Sequence, residues 1–475
     1  MSKTQVSLFL FLALAGSFET AKAGWEIAGE IKPIEAQAPI NRTLISVVNS
    51  AQKFSDFEAT VTTPMGYSGK TFSELVNTYK VNGLGIVIIE DGEITQERYY
   101  GYETKDKITP IDANTRFQAA SMSKYIAGLT GAIAAEEGHI TLGKKVSVMA
   151  NNYPDSLLDE WRDKKFDGNE KSYPESITLK RLLNHSAGLD THSIGTTPQF
   201  VNRTMDNILI GDGFFLTSDG VRPQNVPGVE YSYSGGGFIV AEHMLELATG
   251  RTYSDYATEK VLEAANMGKS TLEEIDEFTP DLAWGCSYDC SWKPEKTLVK
   301  AAGGLITTPK NYAKLLFPIM DWGLNQNGQE LFSREVMENV MTPSFHKDSS
   351  KAVCTVDTDC PTVRYLNLGF TQVAYPVSEI CFQNQCQELL MDGSGVNGLG
   401  VFMTGERLSD GFYRNIMHGG SHKGFRSKFR VDRKNRSGVV IMINGTNEVT
   451  LNNVTGYGSD GLINAIEKAY KIVYE

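Results

Sequence analysis

Residues 83–103, GLGIVIIEDGEITQERYYGYE, restrict the fold of this chain more than any other stretch. An apolar run from Leu84 to Ile89 is followed by Asp91-Gly92, a pair that two-residue turns prefer, and an alternating segment leads back. The pattern predicts a β-hairpin, so a sheet begins here.

From Ser121 the hydrophobic period changes. Tyr125, Ile126, Leu129, Ile133 and Ala134 put bulk on one face of a helix, Gly128, Gly131 and Ala132 admit a close neighbour, and Gly138 ends it. A buried central helix is expected. Helical patterns such as SITLKRLLNHSAGL and FIVAEHMLELATG follow, and a mainly helical subdomain is placed at about 141–280. AAGGLITTPKNYAKLLFPIM adds a glycine turn and a helix starting near Thr308-Pro309. Residues 345–395 read as a long loop or small cysteine-bearing insertion. Beyond them NGLGVFMTGERL, YRNIMHGG and RSKFRVDRKNRSGVVIMING are short β-like runs, and LINAIEKAYKIV is a last helix. This order predicts an α/β fold, an antiparallel sheet flanked by helices, with the helical subdomain set between its strands.

The first residues carry Lys3, an apolar run from Val6 to Ala15 and the small-x-small triplet Ala21-Lys22-Ala23, the pattern of a cleaved signal peptide over 1–23. A secreted or periplasmic protein is expected. Residues 24–70, with Pro33, Pro39 and Pro64, read as an irregular lead-in, and 71–475 as one domain. No later stretch offers the ~18 uninterrupted apolar residues of a membrane span. Of 475 residues, 45 are Lys or Arg and 57 Asp or Glu, a net charge of -12. Loss of Lys3, Lys22 and Glu19 with the signal leaves 43 against 56, or -13. That surface repels nucleic acid, so a small-molecule or peptide-like substrate is the expected partner.

All six cysteines, at 286, 290, 354, 360, 381 and 386, follow the signal segment. Disulfides are expected, and three close pairs offer themselves as local clips, although spacing alone leaves the connectivity open. Neither C-x-x-C spacing nor adjacent histidines suggest zinc, and no metal or cofactor is expected. Asn41, Asn184, Asn202, Asn435, Asn444 and Asn453 each begin an N-x-Ser/Thr triplet, which matters only in a host that glycosylates.

The central helix begins in FQAASMSK, residues 117–124. A serine hydroxyl needs a base within hydrogen-bond reach, and Ser121 and Lys124 stand on one helical face. In dry surroundings the lysine loses proton affinity and can take the serine's proton. By itself Ser-x-x-Lys is a common pattern, equally read as an N-cap and a solvated lysine.

Further segments in order make the pattern specific. EEGHITLGKKV, SITLKRLLNHSAGL, PGVEYSYSGGGF, AAGGLITT and MHGGSHKGF resemble, with FQAASMSK, the serine β-lactamase and penicillin-binding-protein family, closest in type to class C β-lactamases and their esterase and D-aminopeptidase relatives. The resemblance covers residues 84–446. It implies a β-lactamase/transpeptidase-like fold, Ser121 as acylated nucleophile and Lys124 as its base partner. It also implies that Tyr233 relays protons to the leaving group, in preference to its neighbour Tyr231. Where the family has Tyr-x-Asn this chain has Tyr233-Ser234-Gly235, so the substrate meets Gly235 instead of an amide. His418 heads the third element, with Gly419 and Gly420 admitting substrate to the strand. Backbone N–H groups of Ser121 and Ser421 form the implied oxyanion hole.

The expected reaction is hydrolysis of an ester or small amide through an acyl-enzyme. A D-amino-acid-type peptidase or transpeptidase and a β-lactamase are the alternatives, and a non-catalytic binding protein retaining the fold is a further one. His-x-Gly at the third element, in place of Lys-Thr-Gly, removes a cation that would grip a carboxylate. His185 and His139 read as structural residues at helix ends and His422 as a loop residue. The insertion precedes the strand of His418 and is expected to border the cleft. YSYSGGGF lacks the lysine of a phosphate-binding loop, and no HExxH occurs.

Overall fold

The computed structural model describes residues 50–61, 70–152, 161, 173–189, 209, 220–275, 279–286, 297, 299–345, 360, 363–368, 371–376, 379–389, 391–392, 395–451 and 454–475. The signal segment, most of the lead-in, Cys290 and Cys354 lie outside them. The compact unit that carries the site is Gln52–Glu475.

Its core element is an eight-stranded antiparallel sheet. In chain order the strands are β1 (Gly83–Glu90), β2 (Glu93–Gly101), β3 (Met391–Asp392), β4 (Gly395–Asn397), β5 (Phe402–Arg407), β6 (Tyr413–His422), β7 (Phe425–Asp432) and β8 (Ser437–Asn444). Across the sheet they run β2-β1-β8-β7-β6-β5-β4-β3. The expected hairpin is present. Glu90 pairs with Glu93, and Asp91 and Gly92 take φ of 52° and 82°, the left-handed values that a two-residue turn demands.

Because β1 is buried throughout, its alternate side chains enter different cores. Val87 and Ile89 join the large cluster that holds the central helix, whereas Leu84, Ile86 and Ile88 join a smaller one on the opposite face. Helices therefore cover both faces. The ones that matter here are α1 (Phe72–Thr78), α2 (Ser123–Glu136), α3 (Leu179–Leu183), α4 (Gly235–Thr249), α5 (Tyr253–Ala257), α6 (Lys300–Gly303), α7 (Pro309–Ala313) and α8 (Gly458–Tyr474). Thr308 caps α7 at the expected start. Helix α1 and helix α8 contribute Phe72, Leu75, Ile466 and Tyr470 to the smaller core. The lead-in is not wholly irregular: 52–61 is helical, and Phe54, Phe57 and Val61, at i, i+3 and i+7, bury in the same cluster.

Helix α2 is buried from Ser123 to Ala134. Its glycines do what their size suggests: a Cβ at Gly128 would overlap the Leu399 carbonyl, and one at Gly131 would crowd Leu183 of α3. Residues 345–395, read as a long loop or small insertion, hold strands among the described residues. They contain two hairpins, Val363–Leu368 with Thr371–Pro376 and Glu379–Phe382 with Gln385–Glu388. The second turns at Gln383 and Asn384, both left-handed without a glycine, so the usual turn signal is missing from the sequence.

Cys360 joins Cys386, with Cα atoms 5.3 Å apart. This excludes the local clips 354–360 and 381–386, since each would need a sulfur already used. Cys286 and Cys381 are also disulfide-bonded. Two sequons are closed in the folded chain, because Asn184 and Asn444 are buried. Among the described residues no helix is long and apolar enough to cross a membrane, and no group of three or more His, Cys, Asp or Glu is arranged to hold a metal.

Candidate active site

Ser121 sits in a single 3-10 turn, Ala120–Met122, that runs into α2. Ala120 before it has φ of 50°, an unfavourable value for a residue with a Cβ. Three long-range contacts hold the turn. Ser123 Oγ donates to the Ala120 carbonyl (2.7 Å) and accepts from the Leu305 N–H (2.9 Å). Tyr312 of α7 donates to the Met122 carbonyl (3.0 Å), and Ser427 of β7 to the Ala119 carbonyl (2.8 Å).

Lys124, one helical turn on, is 2% exposed. Its Nζ lies 3.1 Å from Ser121 Oγ and 2.7 Å from the Ala302 carbonyl of α6. It also lies over the rings of Tyr233 and Phe238, at 5.2 and 5.3 Å. The solvated-lysine reading of Ser-x-x-Lys is thus excluded by burial.

Tyr233 stands just ahead of α4, whose N-cap Ser234 accepts from the Gly237 N–H at 2.9 Å. Its ring stacks on His185 with centroids 4.3 Å apart, and lies nearly parallel to Phe402 at 6.4 Å. His185, left-handed at φ 61°, accepts the Ser234 N–H through Nδ1 at 3.0 Å. So His185 does more than end α3: it supports the face of the tyrosine and fixes the backbone beside it. Sequence reading missed this role, and also missed Phe402 and the Ala302 carbonyl. A histidine two residues past an apolar helix was the only available signal. Tyr231 packs against His185 and Phe402.

His418 of β6 is buried, and its Nδ1 is 2.6 Å from the Gly419 carbonyl. A carbonyl only accepts, so Nδ1 carries the hydrogen. Burial and the nearby Lys124 cation push the imidazole pKa down to about 3, so the ring is neutral and Nε2 presents a bare lone pair. No hydrogen-bond partner reaches that atom among the described residues. Beyond Met417, whose partner is Phe402, the edge of β6 leaves its pairing with β5.

Gly420 has a reason that the sequence did not show. A Cβ there would overlap the Ala119 carbonyl and the Ser427 hydroxyl, so its role is to let β6 pass against the nucleophile turn. Gly419 has open room and faces the cavity. His422 is not a loop residue; it closes β6 opposite Phe425.

Ser121, Lys124, Tyr233, Gly235, His418, Gly419, Gly420 and Ser421 line one cavity of about 650 Å³, with His422 and Phe402 beside them. Every residue proposed for the site from sequence is therefore brought together. Among the described residues none of 345–395 lines this cavity, and residues 346–359 of the insertion expected to border the cleft lie outside them. Instead Arg407 of β5 donates to the Cys381 carbonyl (2.8 Å), tying the second hairpin to the sheet on the β5 side.

The sequence profile of the family described as Beta-lactamase matches residues 69–457. The chain belongs to the beta-lactamase family. Among curated relatives, this beta-lactamase-family chain is 26% identical over 237 residues to a penicillin-binding protein of Bacillus subtilis, covering 46% of this chain and 44% of that one. It thus spans less than half the length of the curated relatives it matches. Among solved structures it shares the fold of the D-amino acid amidase of Ochrobactrum anthropi, with TM-score 0.56, 16% identity and coverage of 88% and 99% of the two chains. A class C beta-lactamase mutant gives TM-score 0.55, 15% identity and coverage of 89% and 98%.

Proposed function

We propose that this protein is a serine hydrolase that cleaves an ester or small amide through an acyl-enzyme on Ser121. The observation that carries the reading is the 3.1 Å approach of a buried Lys124 amine to the Ser121 hydroxyl at the floor of an open cavity. Held by the Ala302 carbonyl, Lys124 Nζ acts as the base partner and takes the Ser121 proton. The Ser121 oxygen then bonds to the substrate carbonyl carbon, and the displaced negative charge is received by the backbone N–H groups of Ser121 and Ser421. The carbon–oxygen or carbon–nitrogen bond to the leaving group breaks as the proton taken by Lys124 is relayed through Tyr233 to that group, which leaves both side chains as they began. Water repeats the sequence on the acyl carbonyl and frees the acid and Ser121.

His418 supports the choice of substrate. Its neutral ring supplies no cation to pair with a carboxylate at the third element, so anionic termini are disfavoured. The amidase among the structural relatives supports a D-amino-acid amide as the second reading. Rates on a short-chain nitrophenyl ester, a D-amino-acid amide and nitrocefin, on one preparation, rank the readings. Undiminished ester hydrolysis by S121A refutes the acyl-enzyme. Failure of a fluorophosphonate to label folded wild-type protein favours the binding-protein alternative, to which Gly235 in place of the family's Asn lends support. We further propose that the protein is exported to a secreted or periplasmic location, which the Cys360–Cys386 disulfide supports.

A further inference from the structure

Helix α6 is a single turn, Lys300–Gly303, preceded by Val299, which has no side-chain oxygen to cap it. Its first backbone donors are instead satisfied from another helix. Glu242 of α4, 2% exposed, accepts the Ala301 N–H at 2.8 Å, and the neighbouring Lys300 N–H also favours its charged form. The next residue of that turn is Ala302, whose carbonyl receives Lys124 Nζ at 2.7 Å. A continuous path of short contacts therefore runs from the Glu242 carboxyl through two residues of α6, Ala301 and Ala302, to the amine beside Ser121.

Among the described residues no cation is bonded to the Glu242 carboxyl. Burial pushes it up to about 8, with Glu246 on its own helix adding to the rise, while the two N–H groups and the Lys300 charge act the other way. The Tyr253 phenol faces it from α5, and from α2 comes Lys124 itself, whose cation lies over Phe238 one turn earlier on α4. An amide side chain would cap α6 without burying an acid. A titratable group kept in the core at this point marks a functional demand more than a structural one.

We propose that Glu242 is a positioning residue: through α6 it fixes the Ala302 carbonyl, and that carbonyl holds Lys124 against Ser121. The inference rests on the reading of Ser121 as an acylated nucleophile. When ionised, the carboxylate accepts the Ala301 N–H as a charged acceptor and attracts the Lys300 N–H; when protonated, or replaced by Gln, it accepts as a neutral and weaker oxygen and turns a donor toward α6. The grip on α6 tightens as pH rises through the titration of Glu242, and E242Q lacks that step.

The test measures phosphonylation of Ser121 by a fluorophosphonate at pH 6.5 and 9 in wild-type and E242Q protein, with amide hydrogen exchange of α6 in the same samples. The ratio of wild-type to E242Q labelling rates should rise about tenfold between the two pH values, the effect of one charge-assisted hydrogen bond. At pH 9 the Lys300 and Ala301 amides should exchange about tenfold faster in E242Q. A ratio that does not change with pH, or equal exchange at pH 9, overturns the proposal. If wild-type Ser121 never reacts, the acylation reading falls instead, and the exchange difference alone decides whether Glu242 holds α6.

Discussion

The same carboxyl gives a stability test independent of any substrate. Folding raises the Glu242 pKa from 4.5 to about 8. Its contribution to stability is therefore fully present below pH 4.5, where both states hold the proton, and is lost as pH rises to about 8, where the unfolded chain has long since ionised. At 1.36 kcal/mol per unit, the loss relative to a non-titrating residue is about 3 kcal/mol at pH 7 and on the order of 5 kcal/mol above pH 8. Gln reproduces the shape of the protonated acid and does not titrate. E242Q and wild type should therefore match in urea unfolding at pH 4.5, and E242Q should be the more stable by about 3 kcal/mol at pH 7. Parallel stability profiles over this range would refute the argument, because they would mean that Glu242 titrates alike in both states. Together with the labelling test, the expectation is a variant that gains stability and loses acylation at high pH, the trade expected at an active site.

Three further outcomes are expected. G420A should separate the Ser121 turn from β6, since the added methyl has nowhere to go, and lower ester kcat/KM about 100-fold with 1–3 kcal/mol of destabilisation, read from kinetics and urea unfolding. H418Q keeps a neutral acceptor, so the pH profile of kcat/KM between pH 5 and 8 should keep its shape. A lost acid limb would show that His418 titrates there, against its lowered pKa of about 3. On the proposal that the protein is exported, amino-terminal sequencing of the extracellular or periplasmic fraction should begin at Gly24, and an intact Met1 there would contradict cleavage.

Features encoded by neighbours along the chain were legible. Asp91-Gly92 between two apolar runs defined the hairpin, the small residues of α2 marked a helix that others approach, and Ser121 and Lys124 shared a face because a helix places i and i+3 together. Features that depend on which distant segments meet were not. The carbonyl that holds Lys124 lies 178 positions away, and the disulfide joins cysteines 26 apart in place of the nearer partners.

The division has a physical origin. Helical and strand periods are properties of a few consecutive residues, so the sequence alone determined the sheet's first hairpin, the central helix and the candidate nucleophile pair. Proton affinity and steric clearance depend on what surrounds a group after folding. Only the tertiary structure decided that His418 is a neutral acceptor, that Gly420 makes room for the chain's own Ala119, and that Glu242, unremarked in the sequence, stands behind the lysine.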